Sequence, residues 1–73
     1  MSKRSKVSIG KRALVLRIRR RLLRQKQTIV ADFRGAYRRI DLAGNFVVEE
    51  DVNLTALAKE LGVLKPWEEM ASS

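Results

Sequence analysis

The chain has 73 residues, with no Cys and no His, and its 16 Lys and Arg against 8 Asp and Glu give a net charge of +8. A chain of this length forms one small domain, which buries only about 60% of the surface that its unfolded form exposes. Without Cys and His, the sequence excludes a disulfide framework, a thiol nucleophile, an imidazole base and the usual zinc ligands. The excess of positive charge favours a polyanionic partner.

The positive charge is concentrated in the first half of the chain. Residues 1–39 hold fourteen cations and one acid, a net +13, whereas residues 40–73 hold two cations and seven acids, a net −5. A run of charge is often only a solvated face, but the eleven cations and no acid of residues 1–26 indicate a nucleic-acid-binding surface. The acidic half can shield this surface, point away from a polyanion, or meet the basic half of a second copy.

The first predicted elements are a basic arm and a helix. The arm, residues 1–8, is too polar to join a core and is expected to be disordered. The helix runs from residue 9 or 11 to residue 27, with Ser8 as its N-cap. Its core-facing stripe is an arc of about 100° formed by Leu14, Val15, Ile18, Leu22 and Gln25.

Cations flank this stripe on both sides. One arc holds Arg17, Arg20, Arg21 and Arg24, and the other holds Arg12, Arg19 and Lys26. Like charges three and four residues apart repel by about 0.2–0.5 kcal/mol per pair, so bound phosphates are expected to relieve them. Between the arcs lies a seam spaced by seven residues, which we predict to be a homodimer interface: Ile9, Leu16 and Leu23. The alternative is that arginine stems cover this seam.

A hairpin is predicted in the middle of the chain. Residues 28–33 fit either a short strand or the end of the helix. Residues 37–52 fit a two-stranded antiparallel hairpin with Gly44 and Asn45 as a two-residue loop. In that register no like charges are opposed, and two ion pairs form across the strands: Arg38 with Asp51 and Arg39 with Glu50. A two-stranded ribbon needs a helix on one face or a second ribbon at its edge.

A short helix is predicted over residues 54–61, between Asn53 as N-cap and Gly62 at its end. Residues 68–73 are then expected to be a disordered acidic tail. A helix-turn-helix is the weaker interpretation, because Pro66 and two acids stand where its recognition helix would follow.

The sequence contains no set of residues suited to catalysis. Glu49, Glu50 and Asp51 alternate between the faces of a strand and do not converge on a metal ion. The four glycines are isolated, so no loop cradles a phosphate. We therefore predict a protein that is not an enzyme and has no catalytic residue, metal site or cofactor.

These elements predict a single α+β domain over residues 9–67, made of a long basic helix, a two-stranded antiparallel hairpin and a short C-terminal helix. A homodimer is expected because the core is small and the ribbon has open edges. The alternative is a ribbon-helix-helix-like dimer. No apolar run reaches the length of a signal-peptide core or a membrane span, so we expect a cytoplasmic protein without membrane insertion.

Two segments carry a family resemblance: KRALxxRIxRxL over residues 11–22 and GNFVVEEDVNLTALAKELGVLKPWE over residues 44–68. They resemble short basic, mostly uncharacterised proteins encoded on bacterial plasmids and mobile elements. The resemblance spans most of the chain, and its second segment is the more specific. It implies a bacterial cytoplasm and a role in plasmid upkeep, transfer or its regulation, and it assigns no functional residue.

The favoured function is DNA binding through the phosphate backbone, as an accessory or transcriptional regulatory factor associated with the nucleoid or a plasmid. The predicted phosphate contacts are Lys3, Arg4, Lys6, Lys11, Arg12, Arg17, Arg19, Arg20, Arg21 and Arg24. RNA or ribosome binding stays open, although no aromatic residue lies in the basic run. A module for an acidic protein or anionic lipid also stays open.

Overall fold

The computed structural model describes residues 7–70. Its elements are β1 (Val7–Ile9), α1 (Lys11–Leu23), β2 (Gln27–Ala31), β3 (Tyr37–Asp41), β4 (Phe46–Glu49), α2 (Leu54–Leu61) and β5 (Glu68–Met70). β2, β3 and β4 form an antiparallel sheet in that order, and β1 pairs in parallel with β5. The predicted α+β class is confirmed. Of the helices within residues 7–70, neither is long and apolar enough to cross a bilayer.

The core lies where α1 packs against α2 and β2. Its fully buried large side chains are Leu14, Ile18 and Leu22 of α1 and Ile29 of β2. The predicted stripe of α1 is therefore confirmed as far as Leu22, whereas Gln25 lies beyond the helix and is exposed. α2 adds Leu54, Leu57 and Ala58 from the face that its spacing predicts.

α1 begins at Lys11, one of the two predicted starts, but ends four residues earlier than predicted. Its N-cap is Gly10, which has no side chain, so the predicted cap by Ser8 is wrong. It ends at Leu23, and Lys26 then takes a left-handed conformation with φ of 57°. That conformation cannot continue a right-handed helix, so the chain turns into β2.

Both ends of the described chain are strands where the sequence predicts disorder. Val7 pairs with Glu68, and Ile9 pairs with Met70. Ile9 and Met70 are half-buried and pack against the core, which accounts for the order of this pair. The remainder of the predicted arm and tail, residues 1–6 and 71–73, lies outside the described residues.

The predicted hairpin forms, but it belongs to a three-stranded sheet and its register is wrong. β2 shows that residues 28–33 begin as a strand and do not continue the helix. Asp41 pairs with Phe46, which leaves a loop of four residues. The loop is longer because the Asp41 carboxylate accepts a hydrogen bond from the Gly44 N–H at 2.6 Å, a turn that the side chain itself closes. The predicted ion pairs change to Arg39 opposite Glu49 and Arg38 bonded to Glu50 at 3.4 Å.

α2 has the predicted bounds and caps. The Asn53 side chain accepts a hydrogen bond from the Ala56 N–H at 3.0 Å. Gly62 ends the helix with φ of 74°, and its N–H donates to the Lys59 carbonyl at 3.1 Å. Within residues 63–70 the chain forms β5 and no further helix, so a helix-turn-helix has no recognition helix there.

Candidate nucleic-acid interface

α1 carries positive charge on the sides that the core leaves free. Residues 11–24 contain seven Lys and Arg and no acid. Leu16, Arg20 and Leu23 are exposed on the side of α1 that faces away from the buried stripe. We call these three residues the α1 ridge. A polyanion that approaches the ridge meets cations on both sides of it.

The first of two grooves beside the ridge lies between the C-terminal half of α1 and the turn after α2. It has a volume of about 400 Å³ and is lined by Arg17, Arg20, Arg21, Arg24, Gly62, Val63 and Lys65. We call it the α2-side groove. The left-handed turn at Gly62 directs the chain back along α1 and so brings Lys65 to the arginines. Sequence reasoning missed Lys65, an isolated cation in the acidic half whose role depends on the packing of α1 against α2.

Arg17 connects α1 to the segment that follows α2 on the other side of this groove. Its guanidinium donates to the Val63 carbonyl at 3.1 Å and to the Glu68 carboxylate at 2.9 Å. The same Glu68 oxygen accepts the Lys65 backbone N–H at 2.9 Å. Arg17, predicted as a phosphate contact, is therefore also a structural residue that positions the segment around Lys65.

This ion pair predicts a dependence of stability on pH. The hydrogen bond from Arg17, followed by the one from Lys65, holds the pKa of Glu68 below its usual value of 4.5. Because the folded-state pKa is lowered, the pair stabilises the fold fully above the unfolded-state pKa and is lost as the pH falls through the folded-state pKa. Glu68→Gln is therefore expected to lower the free energy of unfolding at neutral pH and to have a smaller effect in acid.

Urea unfolding of the wild type and Glu68→Gln at neutral pH and in acid below the Glu68 pKa measures this difference. Glu69→Gln is the matched control, since Glu69 is exposed and its carboxylate forms no ion pair within residues 7–70. A Glu68→Gln effect that is the same at both pH values would contradict the role of the ion pair.

The second groove lies on the other side of the ridge, between the N-terminal half of α1 and the sheet. It has a volume of about 410 Å³ and is lined by Lys11, Arg12, Val15, Leu16, Arg19 and Tyr37. We call it the sheet-side groove. Arg19 is held in place because its Nε–H donates to the Ile29 carbonyl at 3.1 Å. The Lys11 ammonium lies 5.3 Å from the centre of the Tyr37 ring, within the range of a cation–π contact.

The structure distributes the predicted site residues unevenly. The cations of residues 11–24 line the two grooves, whereas Lys3, Arg4 and Lys6 lie outside the described residues. The predicted dimer seam does not form as one surface, because Ile9 belongs to β1 and packs against the core. Leu16 and Leu23 remain, with 47% and 58% of their surface exposed.

The acids of the chain neutralise the sheet and leave α1 charged. Arg34 bonds to Asp32 at 3.0 Å and to Asp51 at 3.3 Å. Within residues 7–70, Arg17 is the one cation of α1 in an ion pair, and none of the residues described as lining either groove is acidic. The acidic half therefore pairs with Arg17 through Glu68 and leaves the other cations of α1 without an ion pair within residues 7–70.

Neither a metal centre nor a known relative points to another site. No group of three or more acids among residues 7–70 is placed to hold a metal ion. Comparison of the chain with protein-family models, curated proteins and solved structures finds no match. The grooves beside the α1 ridge are thus the candidate functional site.

Proposed function

We propose that this protein is a non-enzymatic DNA-binding protein whose basic arm and α1 contact the phosphate backbone of a duplex. The observation that carries the proposal is the pair of grooves along α1 whose described lining residues include several cations and no acid. Arginines three and four residues apart repel one another, and phosphates bound in the grooves remove that penalty. Arginine also suits this task because its planar fork of donors matches phosphate geometry.

Through this binding, the protein acts as an accessory or transcriptional regulatory factor of a plasmid or mobile element. This part of the proposal rests on the resemblance of residues 11–22 and 44–68 to short basic proteins of those elements. A protein with this role would act in the bacterial cytoplasm, on the nucleoid or a plasmid.

Titration of a labelled DNA duplex at low salt, followed by fluorescence anisotropy, tests the function. Binding with a Kd in the micromolar range or tighter is expected, as for other proteins that contact phosphates without reading sequence. Competition with single-stranded RNA distinguishes the main alternative, because bases of single-stranded RNA stack on aromatic side chains, and Tyr37 is the aromatic residue among those described as lining the two grooves. Stronger binding to RNA would favour that alternative, and no binding to either nucleic acid would contradict the proposal.

We also propose that the chain forms a homodimer through β4. β4 is an edge strand whose residues are all exposed, and its Phe46, Val47 and Val48 include none of the Lys or Pro residues that protect free edges. Pairing of two β4 strands would satisfy their free backbone groups and cover these side chains. A ribbon-helix-helix-like arrangement is less suited, since no second helix follows α2 within residues 63–70.

Sedimentation equilibrium at tens of micromolar is expected to give about twice the chain mass of 8.4 kDa. Val47→Lys places a charge on the free edge and is expected to shift the protein to the monomer. Leu16→Ala is the control and should leave the mass unchanged, because β4 and not α1 forms this interface. A wild-type mass of 8.4 kDa would contradict the dimer.

A further inference from the structure

The α1 ridge has cationic grooves on opposite sides. At about 100° per residue, Arg12 and Arg19 lie roughly 170° around the helix from Arg17 and Arg21. The first pair lines the sheet-side groove and the second lines the α2-side groove. The ridge between them is exposed and includes two leucines in the most highly charged helix of the chain.

The dimensions of α1 match one feature of B-form DNA. A helix of 13 residues is about 20 Å long and about 10–12 Å across with its side chains. The major groove of B-DNA is about 12 Å wide and about 8.5 Å deep, and it admits an α-helix. A helix in that groove has base edges in front of it and a row of phosphates on each side.

Building on the proposed DNA-binding function, we infer that α1 enters the major groove of B-form DNA with its ridge toward the base edges. The α2-side groove then holds phosphates of one strand, and the sheet-side groove holds phosphates of the other. Charge complementarity carries this assignment, because both grooves are lined by cations and none of their described lining residues is acidic.

The side chains of the α1 ridge have the chemistry needed to contact base edges in the major groove. Arg20 is exposed near the middle of the ridge, where its guanidinium can donate two hydrogen bonds to guanine O6 and N7. Leu16 and Leu23 provide apolar contacts for thymine methyl groups. This arrangement gives a role to the two exposed leucines. They do not form the predicted seam with Ile9, because Ile9 packs against the core.

Double-stranded RNA is the contrasting ligand. Its A-form major groove is deep and narrow, so side chains cannot read it and a helix cannot enter. A surface that only attracts phosphates would bind both duplexes, whereas insertion of α1 requires the wider groove. Discrimination between the duplexes therefore tests the inference separately from DNA binding itself.

The experiment uses the wild-type protein and four targets of one base sequence containing both guanine and an A·T tract. They are a DNA duplex, the same duplex with glucosylated 5-hydroxymethylcytosine filling the major groove, the DNA duplex with its minor groove occupied by netropsin, and an RNA duplex. We expect the Kd to rise about tenfold or more for the glucosylated duplex and for RNA, and to be essentially unchanged by netropsin. Because only the ligand varies, folding of a variant is not in question.

Equal affinity for the unmodified and glucosylated duplexes would overturn the major-groove mode while leaving DNA binding intact. Equal affinity for the DNA and RNA duplexes would also overturn the major-groove mode. So would a loss of binding that occurs only for the duplex whose minor groove holds netropsin. Absence of binding to the unmodified duplex at low salt would instead contradict the proposed function, and the inference with it.

Discussion

Arg20→Gln/Arg24→Gln is expected to weaken binding to a DNA duplex on the order of 50-fold at about 0.1 M salt. Both arginines are exposed, line the α2-side groove and form no ion pair within residues 7–70. With α1 in the major groove, Arg24 contacts a phosphate and Arg20 contacts a base edge. The slope of log affinity against log salt is therefore expected to become shallower by about 0.9, the value for one phosphate contact. The free energy of unfolding should not fall, because the substitution removes repulsion between cations four residues apart.

The matched control removes the same charge elsewhere. Lys26→Gln/Lys59→Gln changes two exposed cations that line neither groove. Its affinity should fall only slightly, through the weaker long-range attraction. An equal loss of affinity in the two double variants would mean that overall charge, and not the α2-side groove, determines binding.

Ile18→Ala is expected to lower the free energy of unfolding by about 2–5 kcal/mol. Ile18 is fully buried at the centre of α1, where it belongs to the core shared with α2 and β2. A chain of this length has a total stability of roughly 4–11 kcal/mol. The substitution therefore removes a large fraction of the stability, and it can leave the chain mostly unfolded at 37 °C. Urea unfolding at a fixed protein concentration measures the loss.

Leu16→Ala is the control for this effect, since it removes an apolar side chain of similar size from the same helix. Leu16 is 47% exposed, so its loss should cost less than about 1 kcal/mol. The same variant is expected to bind DNA more weakly, because Leu16 belongs to the ridge. A large loss of stability in Leu16→Ala, or almost none in Ile18→Ala, would contradict the position of the core.

The parts of the fold that local chemistry determines were predictable from the sequence. α2 forms between the residues that its capping pattern indicates, Asn53 and Gly62. The stripe of α1 is buried as its period predicts, because a helix has one face to offer to the core. The cations of α1 were predictable as a charged surface, since no acid lies among them in the sequence.

The parts that depend on distant segments were not predictable in this way. β1 pairs with β5 from the opposite end of the chain, and no local signal in residues 7–9 indicates that partner. Lys65 joins the α2-side groove for the same reason, since α1 and α2 must first pack together. The hairpin register depended on a competition between two turns, and the Asp41 side chain favours the longer loop.

The affinity of the wild-type protein for duplex DNA, measured across a salt series, tests the central claim most directly. Cations of the arm and of both grooves that make about six to eight phosphate contacts give a slope of log affinity against log salt of about −5 to −7. A slope in that range is the expected result. A slope near zero, or no binding at low salt, would contradict a backbone-binding function for α1.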